Sequence, residues 1–478
     1  MKEKKNRHLF RFVLTLALST LGSSAFALPQ FSVESSRQCD NCHLDPSNWS
    51  NPELKDRKCT LSCNGCHVNP TGGGMRNASG GFYGREILPM FGERPSESTY
   101  RAAPGGQPAS QPTSQLNSNS SPRIGWVSKV GLAELPALAL IGAKAETYYD
   151  AGPGTPSRFA GMNPFPRFQV GTDVRLMVYR DQSQNKTSVF PMQMDLHLAA
   201  TPIKVTKYNE GRLTLLTTVG VEGSRAQGTS DMLSRLFAKE YFALYDNLPY
   251  NMYAKAGRFL PAFGWRLDDH TSLVRQNFTF DNEGQRSGVE IGINPNYAFA
   301  HASFFNNSQK WDKPFDAEAG YGTAIHMGYR ELLWQAGASF MYETSDVSSG
   351  TWAGLNWSFN MHDATPNHPW KGFDWLPLIY LGELDYRRVE PVGGGRSVNS
   401  LAAFHELNYL VVQGINLKTR YDWRDIDLEL LNDHQHRYTF GVDYHPYTFV
   451  EINAQIRLNR FGSGDSATEG LLIVHGWY

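Results

Sequence analysis

Cysteine is nearly absent from this sequence. The chain of 478 residues holds five cysteines, and all five lie between positions 39 and 66. The other residues contribute no thiol chemistry, so whatever the cysteines do is confined to one short segment.

A long apolar run and a basic stripe are missing as well. The most apolar stretch in the body of the chain, residues 131–143, is too short to cross a bilayer as a helix and contains Glu134 and Pro136. This pattern excludes a helical membrane protein. Because no run of Lys and Arg marks a nucleic-acid surface, no nucleic-acid partner is expected either.

The N-terminus has the three parts of a secretory signal peptide. A positively charged start is followed by an apolar run over residues 12–21 and by alanines at positions 25 and 27, where a signal peptidase requires small residues. We expect residues 1–27 to be removed, which leaves 40 of the 45 basic and 45 of the 46 acidic residues. The alternative is an uncleaved anchor, for which the apolar run is short.

Four of the cysteines form two C-x-x-C pairs, and a histidine directly follows each pair. Two such pairs alone would also fit a structural zinc ribbon or disulfides, but the histidines match the attachment pattern of c-type haem. In that pattern two thioether bonds clamp the porphyrin edge and the histidine binds the iron. We therefore predict two c-type haems, attached and axially bound by Cys39, Cys42 and His43, and by Cys63, Cys66 and His67.

The second axial ligand of each iron is less evident. Residues 28–122 contain no further histidine, so the candidates there are Met75 and Met90, or a histidine from the rest of the chain. Met75 lies in a glycine-rich turn that could wrap a haem edge, although an ordinary surface methionine is an equal alternative. Cys59 is left without a partner, and a spare thiol is the simplest interpretation.

The composition changes after this segment. Residues 93–122 are rich in Pro, Ser and Gln and show no hydrophobic periodicity, which is typical of a linker. We therefore divide the chain into a signal peptide (1–27), a di-haem cytochrome domain (28–92), the linker (93–122) and a C-terminal domain (123–478).

The C-terminal domain alternates apolar and polar residues over segments of about ten positions. In residues 414–424 the positions from Ile415 to Trp423 alternate in this way, and residues 450–459 repeat the design. Strands of this length, apolar on one side and polar on the other, are typical of an outer-membrane barrel. The soluble β-sandwich is the alternative. The fold class is thus predicted to be all-β, a transmembrane antiparallel barrel behind a small N-terminal cytochrome segment.

Seventeen candidate strands are visible, the first at residues 137–150. Because bacterial single-chain barrels have an even number of strands, we expect about 16, with 14 and 18 open. The chain ends on Tyr478, with Val474 and Leu472 on the same face, as a closing strand would. Trp265, just past one candidate strand, is expected in an aromatic girdle at the membrane interface.

The order of these parts resembles a known family. The sequence LPQFSVESSRQCDNCH brings a haem-attachment motif close to the start of the mature chain, and a barrel follows it. This resembles the fused cytochrome–porin family of bacterial outer-membrane electron-transfer proteins, some of which oxidise iron outside the cell. The resemblance covers the whole architecture, and the second motif and the long linker distinguish this chain as a di-haem protein.

The resemblance and the residues together lead to a functional hypothesis. We expect an outer-membrane porin–cytochrome that carries electrons between periplasmic carriers and an extracellular donor or acceptor, for which Fe(II) is a candidate. Electron transfer is expected rather than conversion of a substrate, with the haem domain in the periplasm or inside the barrel lumen. A bilayer does not conduct electrons, so haems tethered to a barrel would offer them a path.

Three alternatives remain open. The barrel would be a diffusion porin with a tethered periplasmic di-haem carrier, the haems would form a peroxidase, or haem would gate the pore as a sensor. Asp268, Asp269 and His270 suggest a metal site, but solvated acidic residues on a turn are the commoner interpretation.

Overall fold

A computed structural model describes residues 63, 66–77, 80–81, 84, 90, 166–203, 210–222, 236–267, 269, 271–276, 284–295, 297–330, 334–360, 378–412 and 414–478. Several predicted features lie outside these residues. They are the signal peptide, the first motif (Cys39, Cys42 and His43), Cys59, the linker, the candidate strand 137–150, Asp268 and His270.

Sixteen antiparallel strands form one closed barrel, which confirms the expected fold class for this part of the chain. Each strand pairs with its neighbours in sequence, and β1 pairs with β16. The strands are β1 (Phe168–Asp181), β2 (Lys186–Ala200), β3 (Arg212–Glu222), β4 (Leu236–Asp246), β5 (Tyr253–Phe259), β6 (Arg286–Ile293), β7 (Ala298–Asn306), β8 (Tyr321–Arg330), β9 (Trp334–Thr344), β10 (Ser348–Asn360), β11 (Leu378–Pro391), β12 (Val398–Val412), β13 (Ile415–Asp425), β14 (Gln435–Tyr444), β15 (Val450–Phe461) and β16 (Ser466–Trp477).

The alternation in the sequence sets which side chains face outwards. In β13 the side chains of Asn416, Arg420 and Asp422 are buried, whereas Leu417 and Thr419, which alternate with them, are exposed. β15 repeats the pattern over its central residues. Because successive strand side chains point to opposite faces, a period of two produces one polar and one apolar surface.

The barrel is apolar outside and polar inside, the reverse of a soluble protein. Its exposed outer residues include Leu176, Val189, Leu215, Ile291, Phe304, Phe340, Leu355, Phe440, Ile456 and Leu472. Buried polar residues of the strands include Asp195, Glu240, Lys255, Glu290, Asp385, Asp422 and Arg457. Such an outer band is stable when lipid covers it, and the charged interior is stable because its side chains pair with one another.

The two ends of the barrel are distinguished by the chain termini. The lower end is defined here as the one where β1 begins and β16 finishes, so the connections that follow even-numbered strands also lie there. At this end Tyr478 joins the end of the chain to β1, since its backbone exchanges hydrogen bonds of 2.9 and 3.1 Å with Thr172 of β1. The expectation that the chain finishes in the closing strand is confirmed.

One connection folds into the lumen from the upper end. Between β5 and β6, the described residues 260–267, 269 and 271–276, called the inward loop below, include a short helix, α1 (Leu273–Gln276). The Trp265 indole donates to the Gly382 carbonyl of β11 at 3.0 Å. The prediction that Trp265 belongs to a membrane girdle was wrong, because this side chain binds the barrel interior. Among the described residues, no helix is long and apolar enough to cross a membrane.

Candidate functional site

The second motif forms a single turn of chain. The backbone N–H groups of Cys66 and His67 both donate to the Cys63 carbonyl, at 3.1 and 2.9 Å. Neither thiol is in a disulfide. Two thiols three positions apart and the adjacent imidazole are therefore presented from one compact turn.

Residues 66–77 continue as a short antiparallel hairpin, called the lumen hairpin below. His67 pairs with Arg76, and the Val68 N–H donates to the Met75 carbonyl at 3.0 Å. Glycines at positions 72, 73 and 74 all have positive φ, which residues with a side chain rarely adopt. At Gly72 a Cβ atom would also lie 3.3 Å from the Cys63 sulfur. The glycine therefore keeps the space beside this sulfur free of a side chain.

Polar side chains of the barrel hold the tip of the lumen hairpin. The Lys255 ammonium donates to the Asn69 side-chain oxygen at 3.1 Å and forms an ion pair with Glu290 at 2.8 Å. The Asn294 amide donates to the Pro70 carbonyl at 2.9 Å. These contacts join the hairpin to β5, β6 and the connection after β6. The hairpin therefore lies inside the lumen near the lower end.

An apolar cluster anchors the other side of the lumen hairpin. Val68 and Met75 are buried in it, and Met75 is only 3% exposed. The remaining members come from β2 to β5 and are Ala199, Leu216, Phe242, Leu244, Tyr253 and Phe259. Met75 therefore packs in the apolar cluster that holds the lumen hairpin against the barrel wall. Its predicted role as a distal ligand stays a prediction.

Met90 lies in a different part of the lower end. Its backbone N–H donates at 2.8 Å to the carbonyl of His445, in the connection after β14. A Cβ atom at Gly414, between β12 and β13, would come within 2.7 Å of the Met90 Cβ. Met75 and Met90 thus contact different groups of strands, and the ligand role of Met90 also stays a prediction.

The donor set of the second motif fits a clamped porphyrin, because two thiols and an adjacent imidazole lie on one turn. Burial raises the pKa of the Cys63 thiol, an effect that Arg330 and Arg266 oppose. Within the described ranges, which include this motif, no three His, Cys, Asp or Glu side chains are arranged to hold a metal ion. Haem attachment needs no such convergence, because the thiols bond to carbon atoms of the porphyrin.

The inward loop connects the lumen hairpin to the far wall. Arg266 donates to the Thr71 hydroxyl at 3.4 Å and forms an ion pair with Glu240 at 2.9 Å. At the other end of the loop, Asp269 binds Arg420 of β13 at 2.5 Å and Arg457 of β15 at 2.6 Å. Burial alone would raise the pKa of Asp269, but the two guanidinium groups hold it well below its usual range. Ion pairs at both ends thus hold the inward loop across the lumen.

The proposed metal site at Asp269 is not supported by its contacts. Its carboxylate oxygens bind two arginines and the Thr271 hydroxyl. The interpretation as a solvated acidic turn does not fit Asp269 either, because its side chain is only 18% exposed and pairs with two buried arginines. Sequence reasoning missed Lys255, Asn294 and Arg266, since their partners in the lumen hairpin lie more than 180 positions away along the chain.

Comparison with known proteins identifies the fold. No protein-family model matches the chain, and no curated protein matches it. An anion-selective porin from Comamonas acidovorans superimposes with a TM-score of 0.50 at 11% identity, over 65% of this chain and 99% of that one. The fold is that of an outer-membrane porin.

Two other solved structures are similar over an equal share of the chain. A loop-deletion mutant of OmpT, an outer membrane protein of Vibrio cholerae, matches with a TM-score of 0.49 and 8% identity, over 65% of this chain and 99% of that one. OmpF of Salmonella typhi in complex with daunomycin matches with 0.48 and 9%, over 65% of this chain and 97% of that one.

Proposed function

We propose that this chain is an outer-membrane porin–cytochrome that passes electrons between the periplasm and the cell exterior through covalently attached c-type haem. The observation that carries the proposal is the seating of Cys63, Cys66 and His67 inside the lumen of a porin-like barrel. The apolar outer band supports a position in outer-membrane lipid. With an even number of strands, both ends of the sheet lie on the periplasmic side, so the lower end would face the periplasm.

Each residue of the second motif would have a separate role in binding haem. Cys63 and Cys66 would attach its edge, and His67 would bind the iron from one side. When bound, haem supplies one-electron redox chemistry. The protein contributes position: Lys255 and Asn294 fix the tip of the hairpin, and Arg266 joins it to the inward loop. The first motif, residues 39–43, would hold the other haem in the same manner.

Electron transfer across a sealed membrane tests the proposal. Holo-protein is inserted into liposomes that contain a redox dye, and a reduced redox protein too large for the pore is added outside. We expect the dye to be reduced, and we expect the variant Cys63→Ala/Cys66→Ala to lose this activity. Mass spectrometry of the intact chain measures how much haem each sample carries. A dye that stays oxidised while both haems are present refutes the conduit.

A diffusion porin with a tethered di-haem carrier is the second candidate. The porin-like fold and a loop folded into the lumen from the upper end favour it. Conductance in a planar bilayer separates the two functions, because a conduit whose lower mouth holds the lumen hairpin passes little ion current. Open-porin conductance from the full holo-protein would favour the diffusion porin.

Oxidation of extracellular Fe(II) would be one use of the conduit, tested by supplying Fe(II) outside the same liposomes.

A further inference from the structure

We propose that the upper end of the lumen contains a binding site for a small oxyanion, either phosphate or a carboxylate. The site is a cavity of about 180 Å³ in the inner wall, called the upper cavity below. Its lining comes from the upper ends of β6, β9, β10 and β11 and from the connections after β7 and β9. It lies at the opposite end of the barrel from the lumen hairpin, so the inference does not depend on haem.

Positive charge exceeds negative charge in the wall of the upper cavity. Among the described residues, the charged members of the lining are Arg286, Arg387 and Glu343. Arg286 forms an ion pair with Glu343 at 3.2 Å. Two guanidinium groups and one carboxylate give the lining a net positive charge, which attracts an anion.

A third guanidinium group adds to this charge without lining the cavity. Arg258 of β5 is 2% exposed, and its Nη2 donates to the backbone carbonyl of Gln309, a lining residue, at 2.5 Å. Its Nε and Nη1 have no hydrogen-bond partner among the described residues. A buried cation is costly unless a negative charge balances it. An oxyanion in the upper cavity would supply that charge from the neighbouring space, without contacting Arg258.

The wall positions Arg387 for such a ligand. Arg387 of β11 and Trp352 of β10 are cross-strand partners, and the guanidinium lies over the indole, 5.3 Å from its centroid. Gly350 of β10 makes room for the indole, because a Cβ atom there would collide with the ring. Contact with a ring uses the face of a guanidinium, whereas oxyanions bind the N–H groups in its plane. Trp352 therefore orients Arg387 without competing with an oxyanion.

The size and charge of the upper cavity decide the class of ligand. Pockets that hold drug-sized molecules measure about 300–1,000 Å³, so a cavity of about 180 Å³ suits a group of a few heavy atoms. The fork of N–H groups on arginine matches the paired oxygens of a carboxylate or a phosphate. A cation is excluded by the charge of the lining, and a large ligand is excluded by the volume.

Calorimetric titration of the full-length holo-protein with inorganic phosphate, and with acetate in a second series, tests the assignment. With chloride as the background salt, we expect saturable binding of at least one of the two anions. Arg387→Gln should weaken that binding about ten- to a hundredfold, as expected for the loss of a charge-assisted hydrogen bond. The matched control is Arg388→Gln, which changes the next residue of β11, a half-exposed partner of Glu390, and should bind like the parent.

A second variant should gain affinity, which a folding defect would not produce. Glu343→Gln removes the negative charge from the lining, so binding should become about tenfold tighter because like-charge repulsion is lost. The proposal is overturned if the parent binds neither anion, or if Arg387→Gln binds like the parent. Equal losses in Arg387→Gln and Arg388→Gln would also overturn it, since they would indicate general attraction to surface charge. Unchanged or weaker binding by Glu343→Gln would do the same.

Discussion

At the residue scale, the ion pair of Lys255 with Glu290 is the most deeply buried charged contact beneath the lumen hairpin. Both side chains have 0% exposure. Glu290 also accepts hydrogen bonds from Tyr253 at 2.8 Å and from Ser303 at 2.7 Å. Such a pair is stable because each charge has its partner, and removal of one leaves the other uncompensated.

We predict that Lys255→Met lowers the free energy of unfolding by about 3–5 kcal/mol, since it leaves the Glu290 carboxylate buried without its cation. Denaturant unfolding in detergent micelles, followed by tryptophan fluorescence, measures the change. The matched control is Arg388→Met, which removes one partner of the half-exposed pair with Glu390 and should cost at most about 1 kcal/mol. Equal costs for the two variants would contradict the role given to Lys255.

At the element scale, the contacts that hold the inward loop include one buried ion-pair cluster, called the latch below, and one close approach. The latch is Asp269 between Arg420 and Arg457. The close approach is at Gly264, which has a φ of +53°, and a Cβ atom there would collide with the Glu383 carboxylate. The Trp265 N–H donates to that same carboxylate at 3.1 Å. The loop is thus tied to β11 at its start and to β13 and β15 further along.

Asp269→Asn should release the far part of the inward loop. The change removes the carboxylate that Arg457 shares with Arg420, and the lost pairing is worth about 3 kcal/mol for buried charges. We expect larger fluctuations of the open-channel current in planar bilayers. Asp312→Asn, in the exposed connection between β7 and β8, should leave the current trace as it is. Quiet current from Asp269→Asn, equal to that of the control, would show that the loop is held by other contacts.

The strands could be predicted from the sequence and the loop could not. Lipid outside and paired charges inside impose a period of two, which is why Leu417 and Asn416 already indicate the faces of β13. The inward loop has no such period, and the partners of Trp265 and Asp269 lie more than 100 positions away. Nothing local distinguishes a girdle tryptophan from one that binds Gly382. The inward position of Arg387 follows from the strand pattern, but its convergence with Arg286 on one cavity does not.

At the scale of the whole molecule, the lumen hairpin is held by two kinds of contact on different parts of the barrel. Its polar tip binds Lys255 and Asn294, and its apolar side packs against β2 to β5. Arg76 lies over the Trp477 ring, 5.0 Å from its centroid, and so connects the hairpin to the closing strand. The lower mouth and the lumen hairpin therefore form one unit. Displacement of the segment should change the permeability of the barrel.

Val68→Asp is the sharpest test of that coupling. The substitution would place an unpaired carboxylate in the apolar cluster, at a cost of several kcal/mol. The lumen hairpin should therefore leave the barrel wall, while the sixteen strands remain paired. We expect single-channel conductance to rise several-fold and a protease to cleave within residues 66–77. Val68→Leu keeps the cluster apolar and should behave like the parent. If the protease cleaves this segment and the conductance does not rise, the hairpin does not close the mouth, and the barrel must be narrowed elsewhere, as the inward loop would do.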